Sequence, residues 1–533
     1  MEPNQYSHSP CSSNDFAMLA IIKAGDDEAA GGINEGNKTI HAPNPLLNPI
    51  VLDLVFDHLP VHELRNARLV CREWDNVGAT VLGKRTFLMA TKLFRYDGTK
   101  LSEPAFVADK LLRRLSISSG FNRFEFDPSV PTETRGEVIT KAIAAVPRVA
   151  RLTEELAVCL QHKSHMTALL KGIRKLKSTN LRSVSLCVNI VDSSWGKKSP
   201  VLKKLAVQRT LTSFTFEQQI DDDYAFTVRR SSYNPLTYQP FVQIWLDAAP
   251  NLTELRISAN FYPNLEGCKS IKVFEFEFID IPNMRFEAVN LTAVAGMLAH
   301  IKNSVVEVSL ENSNKVVHYC QKEKLDLPVM PNLVTLFVAD IYQVQDSLDE
   351  IRLPKLEHLT LDKFYEIEVL SLSTPHKNLS QRHRGIQSVD LMMRGIGECE
   401  NFSETMVQLF PNVKRFDFTW FVGTIPLEEF SRFLEPFKAW NLEIASLQFR
   451  NVKKPASQTI LAGLRNMATW QGEKTAKFYF DTDRVDFTAH FDDFIRYSGG
   501  FEIVKMRDDS WDNEFTKEMQ AIFDARNAPI SIK

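Results

Sequence analysis

Apolar residues along the chain recur in a triplet of the form apolar-x-x-apolar-x-apolar, with polar residues between its members. The last two apolar positions are two residues apart, which is the period of a short strand with one buried side. Most triplets begin about 20 to 40 residues apart, the spacing of a structural repeat. The pattern therefore predicts a series of strands that bury the same face. The triplets begin at Leu112, Leu181, Leu211, Leu252, Ile271, Val305, Leu333, Leu356, Ile386, Val413, Ile444, Thr475 and Phe501.

Several triplets are directly preceded by the same two-residue motif, a proline and then a polar residue, which we call the leader. The polar residue is Asn251, Asn332, Lys355 or Asn412. A repeated turn before a strand is harder to obtain by chance than the apolar pattern alone. One strand and one helix cannot bury their own apolar faces, so we expect neighbouring units to stack into a parallel sheet. The alternative is an ordinary α/β domain. Amphipathic stretches of helical period lie between triplets at 241–249, 291–301, 403–410, 427–437 and 460–467.

The segment before the triplets predicts an unusually apolar helix. Pro49 stands where a first helical turn would begin, and only Asp53 is polar between residues 50 and 56. Pro60 ends this helix, and a second short helix can follow from about Val61. A segment of roughly 45 residues is too small to cover so much apolar surface alone. It is expected to dock on the rest of the chain, on another protein, or on both; an N-terminal helical cap of a larger domain is the alternative.

Composition narrows the class of protein. The chain has 533 residues, 44% of them apolar, and a formal net charge of −3, which gives no electrostatic case for binding nucleic acid. Its seven cysteines are odd in number and none is spaced Cys-x-x-Cys, which favours reduced thiols and a cytoplasmic or nuclear protein. No apolar run approaches a membrane span. Residues 1–44 are rich in Ser, Asn, Gly, Pro and acids, and we predict a disordered tail there.

The motifs that carry chemistry are incomplete. Residues 267–270 end like a phosphate-binding loop but lack the upstream glycine. His58 and His62 have the spacing of two metal ligands on one helix, yet Pro60 lies between them and breaks that helix. We therefore predict no catalytic residue, no metal site and no cofactor.

The segment that ends at Trp74 resembles an F-box. Counted from Leu59, the Glu-Leu pair at Leu64, the Leu-Val-Cys run at Cys71 and Trp74 fall in that family's register. The family's proline stands one place later here, after Asn48. The triplets resemble leucine-rich repeats, although the family's characteristic asparagine is matched in few units.

Together these resemblances imply an α/β architecture. An N-terminal three-helix F-box would occupy 45–85 and a linker 86–104. An irregular leucine-rich-repeat solenoid would occupy 105–533, with parallel strands on its concave side and helices on its convex side.

The same resemblances imply a substrate-recognition subunit of an SCF-type ubiquitin ligase. The F-box would dock on the S-phase kinase-associated adaptor protein and through it on a cullin–RING ligase, while the repeats would hold an unknown target protein. A non-catalytic scaffold that does not act through a cullin ligase is the alternative, and an enzyme hidden in an irregular α/β domain is a third possibility. The residues implied to lie on or directly beneath the adaptor contact are Pro49, Ile50, Leu52, Val55, Phe56, Leu59, Leu64, Val70, Cys71 and Trp74.

Candidate residues for the target surface follow from the strand pattern. In a leucine-rich repeat the side chains between the apolar positions point to the concave side, and aromatic residues and arginine there suit protein binding. Their mixed charge favours a protein ligand over a nucleic-acid backbone. The candidates are Phe337, His358, Tyr365, Asp390, Arg415, Asp417, Trp420 and Phe421.

Overall fold

The computed structural model of the 533-residue chain describes most of the residues after position 46. The predicted disordered tail at 1–44 lies outside the described residues, and so does most of the predicted linker. The described ranges are 47–89, 95–96, 101–102, 113–117, 153–160, 163–175, 180–189, 202–219, 238–279, 289–313, 325–341, 347–365, 382–394, 402–421, 427–452, 456–480, 484–508 and 511–532.

The described N-terminal part folds into three helices, α1 Pro49–His58, α2 Val61–Ala67 and α3 Arg72–Arg85. The side chain of Asn48 caps α1 by accepting a hydrogen bond from the backbone N–H of Ile50 at 3.0 Å. These helices have a small core of their own, in which the rings of Phe56 and Trp74 meet edge to face at 5.3 Å. The buried members of this core are Leu52, Phe56, Leu64, Ala67, Ala79, Val81 and Leu82.

The rest of the described chain is built on one 16-stranded sheet, in which every neighbouring pair of strands runs parallel. Apart from a separate antiparallel pair, β2 and β3, the strands lie in the sheet in chain order. The strands are β1 Leu88–Met89, β2 Arg95–Tyr96, β3 Leu101–Ser102, β4 Arg114–Ile117, β5 Glu155–Leu160, β6 Ser183–Asn189, β7 Ser213–Gln219, β8 Glu254–Ala259, β9 Val273–Phe278, β10 Glu307–Asn312, β11 Thr335–Ala339, β12 His358–Tyr365, β13 Ser388–Arg394, β14 Arg415–Phe421, β15 Ile444–Val452, β16 Glu473–Phe480, β17 Ile503–Asp508 and β18 Ile530–Ile532.

Helices connect many of these strands. All five predicted helical stretches are confirmed, with small shifts at their ends. The sequence pattern did not indicate the helices at 163–175, 484–489, 491–498 and 513–525. The helices are α4 Lys163–Lys175, α5 Gln239–Ala248, α6 Leu291–Ile301, α7 Phe402–Leu409, α8 Leu427–Leu434, α9 Ala456–Ala468, α10 Arg484–Ala489, α11 Phe491–Ser498 and α12 Asn513–Ala525, and a 3₁₀ turn at Glu435–Ala439 follows α8.

Alternate strand residues enter one continuous apolar core that the helices also fill. We call this side of the sheet the core face and the other side the open face. Helices pack on the core face; for example, Trp245 of α5 stacks on Phe214 of β7 with ring centroids 6.0 Å apart. The predicted inward positions are confirmed. Each is at most 1% exposed: Leu255, Leu336, Leu359, Val389, Phe416 and Leu447.

The recurring proline–asparagine leader has a recurring contact. The side-chain amide of each leader asparagine donates a hydrogen bond to a backbone carbonyl of the preceding unit. Asn251 reaches Arg209 at 2.8 Å, Asn332 reaches Asn303 at 2.9 Å, and Asn412 reaches Arg384 at 3.0 Å. Where the leader carries Lys355 instead, the lysine Nζ donates to Asn332 Oδ1 at 2.9 Å. At these four positions the turn before a strand is therefore hydrogen-bonded to the preceding unit.

Two predicted details are wrong. The triplet at β15 is shifted by two residues, since Leu442 fills the buried leading position while Ile444 is 39% exposed. At β16 the predicted Thr475 lies on the open face, and the residue before it, Lys474, points into the core. The Nζ of Lys474 donates a hydrogen bond to the backbone oxygen of Trp470 at 2.8 Å. At β15 the strand period is correct, but an alternation of two cannot by itself tell one starting point from the next. At β16 an inward position is occupied by a lysine, which a pattern of apolar residues does not mark.

The sheet also begins earlier than predicted. Leu88 and Met89, inside the predicted linker, form β1 and pair with β4. Arg114 of β4 contacts the segment between α3 and β1. Its guanidinium lies 4.1 Å from the ring centroid of Phe87 and donates a hydrogen bond to the backbone oxygen of Lys84 at 3.4 Å. The three N-terminal helices are thus joined directly to the first strand of the sheet.

Candidate interaction surfaces

The N-terminal helices expose an unusual number of large apolar side chains. Ile50 and Leu54 lie one helical turn apart on α1 and are 73% and 63% exposed. Leu69 and Val70, in the turn after α2, are 72% and 62% exposed. The full set, which we call the N-terminal apolar surface, is Leu47, Ile50, Val51, Leu54, Val55, Leu69 and Val70.

The predicted adaptor residues divide into two layers. Leu52, Phe56 and Leu64 are buried in the small core of the helices, so they support the surface from beneath. Pro49, Ile50, Val55 and Val70 are exposed, while Leu59, Cys71 and Trp74 are half-buried. The sequence reasoning missed four exposed members, and the i, i+4 spacing of Ile50 and Leu54 was the signal that could have found one of them. The missed residues are Leu47, Val51, Leu54 and Leu69.

The open face brings several predicted target residues into register. Phe337, Thr360, Asp390 and Asp417 are successive partners on β11 to β14 and form one row across four strands. His358 and Arg415, both exposed, belong to the row beside it, with Ser388 between them. Phe421 lies half-buried at the far end of β14, and Tyr365 stands in register with residue 394 on β13.

Trp420 corrects the prediction. It is fully buried, with 0% exposure, and not a surface residue at a strand end. Its ring centroid lies 5.2 Å from that of Phe430 and 4.9 Å from that of Phe433, both on α8. The reason is that β14 continues to Phe421, so Trp420 keeps the alternation that already buries Phe418. Trp420 therefore belongs to the core and cannot contact a target protein.

A cluster of carboxylates surrounds Asp390 on the open face. Burial and then the charges of Asp417 and Asp362 raise the pKa of Asp390 to about 6, while Arg415 opposes the shift. The side chain of Asp390 is exposed on the open face, and Asp417 is its direct register partner on β14, so the charge of that carboxylate acts on Asp390 at close range. Arg415 is engaged with Asp417 through a hydrogen bond of 2.9 Å, which offsets part of this negative charge.

A second acidic region covers β7 to β10 of the open face. Arg256 lies among its carboxylates and forms ion pairs with Glu254 at 2.8 Å and Glu275 at 3.3 Å. One arginine cannot neutralise the whole group, so this part of the face presents a negative field. Its acidic residues are Glu217, Glu254, Glu275, Glu277, Glu307 and Glu311.

Within the described ranges, no group of three or more His, Cys, Asp or Glu side chains is placed to hold a metal ion. Among the helices of the same residues, none combines the length and apolar character needed to cross a membrane.

No protein-family model matches the chain. No curated protein matches it either. The assignment of a function therefore depends on the two surfaces described above.

Proposed function

We propose that this chain is the substrate-recognition subunit of an SCF-type ubiquitin ligase. Its N-terminal helices act as an F-box that docks on the S-phase kinase-associated adaptor protein, and through it on a cullin–RING ligase. Its parallel sheet acts as an irregular leucine-rich-repeat solenoid, whose open face is the concave side and binds a target protein. The chain contributes proximity between target and ligase and performs no covalent chemistry itself.

The observation that carries this proposal is the concentration of exposed apolar side chains. Seven of the twelve large apolar residues that are exposed in the described chain lie between residues 47 and 70. An apolar region of this kind marks a docking site for another protein, because leaving it in water forgoes its burial energy. It coincides with the segment whose Leu-Val-Cys run and Trp74 resemble the F-box.

The open face supports the second half of the proposal. It carries aromatic, cationic and acidic side chains on successive parallel strands, and such a mixture suits a protein ligand. The acidic regions around Glu275 and Asp390 disfavour a nucleic-acid backbone. We propose accordingly that the chain binds neither nucleic acid nor membrane, needs no cofactor or metal, and acts in the cytoplasm or the nucleus.

The test replaces two exposed residues of the N-terminal apolar surface, Ile50→Glu and Leu54→Glu, in the full-length chain. Each apolar side chain contributes about 1.5–3 kcal/mol when it is fully buried. Losing both should weaken the affinity for the purified adaptor protein by at least about 100-fold. Isothermal titration calorimetry measures this affinity directly.

The matched control is Ile351→Glu, which adds a charge at an apolar residue that is 84% exposed elsewhere in the chain. It should bind the adaptor like the unmodified protein. A folded double variant with unchanged adaptor affinity would refute the F-box assignment. An adaptor complex from which cullin is consistently absent would point instead to a scaffold that does not act through a ligase.

A further inference from the structure

Two lysines occupy directly opposed positions on the open face of the last strands. Lys477 on β16 and Lys505 on β17 are register partners, and both are half-buried. Neighbouring strands are about 4.8 Å apart, and like charges directly opposite each other destabilise a sheet. This part of the open face therefore carries two adjacent positive charges.

Among the described residues, the nearest strand neighbours of this lysine pair on the open face are not acidic. Each lysine has one further neighbour across the sheet and two along its own strand on the same face. None of these six side chains is a carboxylate, so no strand neighbour among the described residues offsets the pair. The six neighbours are Gln448, Thr475, Tyr479, Ile503, Arg507 and Ser531.

An arginine beside the pair is held in place by neutral groups. The guanidinium of Arg450 on β15 lies 5.4 Å from the ring centroid of Phe421 and 5.7 Å from that of Tyr479. With its side-chain oxygen turned towards Arg450, Gln448 accepts hydrogen bonds from the same guanidinium. These contacts fix the plane of the guanidinium without neutralising it, and a fixed, planar guanidinium suits a carboxylate or a phosphate.

Other arginines of the open face have carboxylate partners. Arg256 pairs with Glu254 and Glu275, Arg415 pairs with Asp417, and Arg114 pairs with Glu155 at 2.8 Å. At these positions the sheet supplies its own counter-charge. At β15 to β17 it supplies aromatic rings and an amide instead, and the positive charge stays available to a ligand.

From this arrangement we infer that the open face at β15 to β17 binds an acidic segment of the target protein. This inference rests on the proposed function and names the chemistry of the bound segment. Its anionic groups, carboxylates or phosphates, lie between Lys477, Lys505 and Arg450, and its neighbouring residues lie on Phe421 and Tyr479.

The acidic cluster limits the length of that segment. Asp417 on β14 is three strands from Lys505, roughly 14 Å at the usual strand spacing. A polyanion that ran along the sheet would meet Asp417 and then Asp390. The site therefore takes a short group of negative charges and disfavours a nucleic-acid strand or an anionic lipid surface.

The test uses the full-length chain and an immobilised peptide array with two fixed positions among random neighbours. The fixed positions are aspartate in one set, phosphoserine in a second and asparagine in a third. The unmodified chain should bind at least one anionic set about tenfold more strongly than the asparagine set. Retention of the phosphoserine set alone identifies a phosphorylated target, and retention of both anionic sets identifies carboxylates as sufficient.

The variant Lys477→Glu with Lys505→Glu should lose this preference. The matched control reverses the same charges at Lys203→Glu and Lys204→Glu, two exposed lysines outside the sheet, and should keep it. An unchanged preference in the first variant, an absence of preference in the unmodified chain, or tighter binding of a single-stranded DNA oligonucleotide would overturn the inference.

Adaptor affinity measured on the same preparations separates this inference from the proposed function. Loss of the anionic preference with intact adaptor binding overturns the inference alone. Absence of adaptor binding in a chain that still prefers anionic peptides overturns the proposed function alone.

Discussion

At the scale of single residues, one step along a strand decides between core and surface. Trp420 and Phe421 are adjacent, yet Trp420 is fully buried against α8 while Phe421 is half-buried on the open face. Both are large aromatic residues near the end of β14, and their chemistry alone does not distinguish them. Because side chains alternate along a strand, Trp420 points into the core and Phe421 points to the open face.

This difference predicts different effects of truncation. Trp420→Ala should lower the free energy of unfolding by about 3–5 kcal/mol, since it leaves a large cavity between β14 and α8. Phe421→Ala should cost less than half as much, because its side chain lies partly in solvent. Urea denaturation followed by circular dichroism measures both values. Equal losses in the two variants would contradict the assignment of faces.

The carboxylate cluster predicts a dependence of stability on pH. The pKa of Asp390 is about 6 in the folded chain, above its ordinary value of 3.8. Its contribution to stability is therefore fully present below about pH 4 and is lost as the pH rises through 6. Asp390→Asn should stabilise the protein at pH 8, and this gain should shrink when the pH is lowered to 5.

Urea titrations at the two pH values measure the change. Glu518→Gln, at an exposed position of α12, is the control for the removal of one carboxylate. A gain for Asp390→Asn that stays constant from pH 5 to pH 8 would rule out repulsion within the cluster as its cause.

At the scale of elements, a few backbone positions determine how a unit begins. Gly472, immediately before β16, has a φ of +76°, which side chains rarely tolerate. A Cβ there would also collide with the backbone carbonyl oxygens of Leu442 and Glu443 in the preceding unit. Gly296, inside α6, has no such constraint, because nothing lies within 4 Å of the position of its Cβ.

These two glycines form a matched pair for mutation. Gly472→Ala should destabilise the chain by about 1–3 kcal/mol or more, since strain and collision act together. Gly296→Ala should stabilise it by about 0.5–1 kcal/mol, because alanine is the better helix former. Thermal or urea unfolding reports both signs. A stabilising Gly472→Ala variant would show that the turn before β16 is not built as described.

At the scale of the whole molecule, a long parallel sheet must protect its two edges. The N-terminal edge strand, β1, follows directly from α3. At the C-terminal edge, Gln520 of α12 donates to the backbone oxygen of Ile530 at 3.0 Å and accepts from the backbone N–H of Ile532 at 2.8 Å. One amide side chain thus satisfies backbone groups of β18 that another strand would otherwise pair with.

Removing this amide should open the edge. Gln520→Ala should cost about 1–3 kcal/mol for two lost hydrogen bonds and should increase association between copies at high protein concentration. Static light scattering and urea unfolding measure the two effects. Gln471→Ala, at an exposed position before β16, serves as the control. If both variants behave alike, Gln520 does not protect the edge.

The sequence by itself determined the repeating plan of this protein. Alternating apolar residues fixed the inward positions such as Leu336 and Phe416, because a strand buries every second side chain. Helical periodicity located α5, α6 and α9, and proline placed the start of α1 and the break after it. These features depend on neighbours within a few residues, which a linear pattern records.

Tertiary structure decided everything that depends on partners distant in the sequence. The register that sets Lys477 beside Lys505 joins residues of different units, and the carboxylates that raise the pKa of Asp390 come from strands on either side of it. The length of β14, which buried Trp420, depends on pairing with β13 and β15. Folding also divided the apolar residues of α1 into a buried face around Phe56 and an exposed face around Leu54, because only packing selects which side of a nearly uniform helix meets its neighbours.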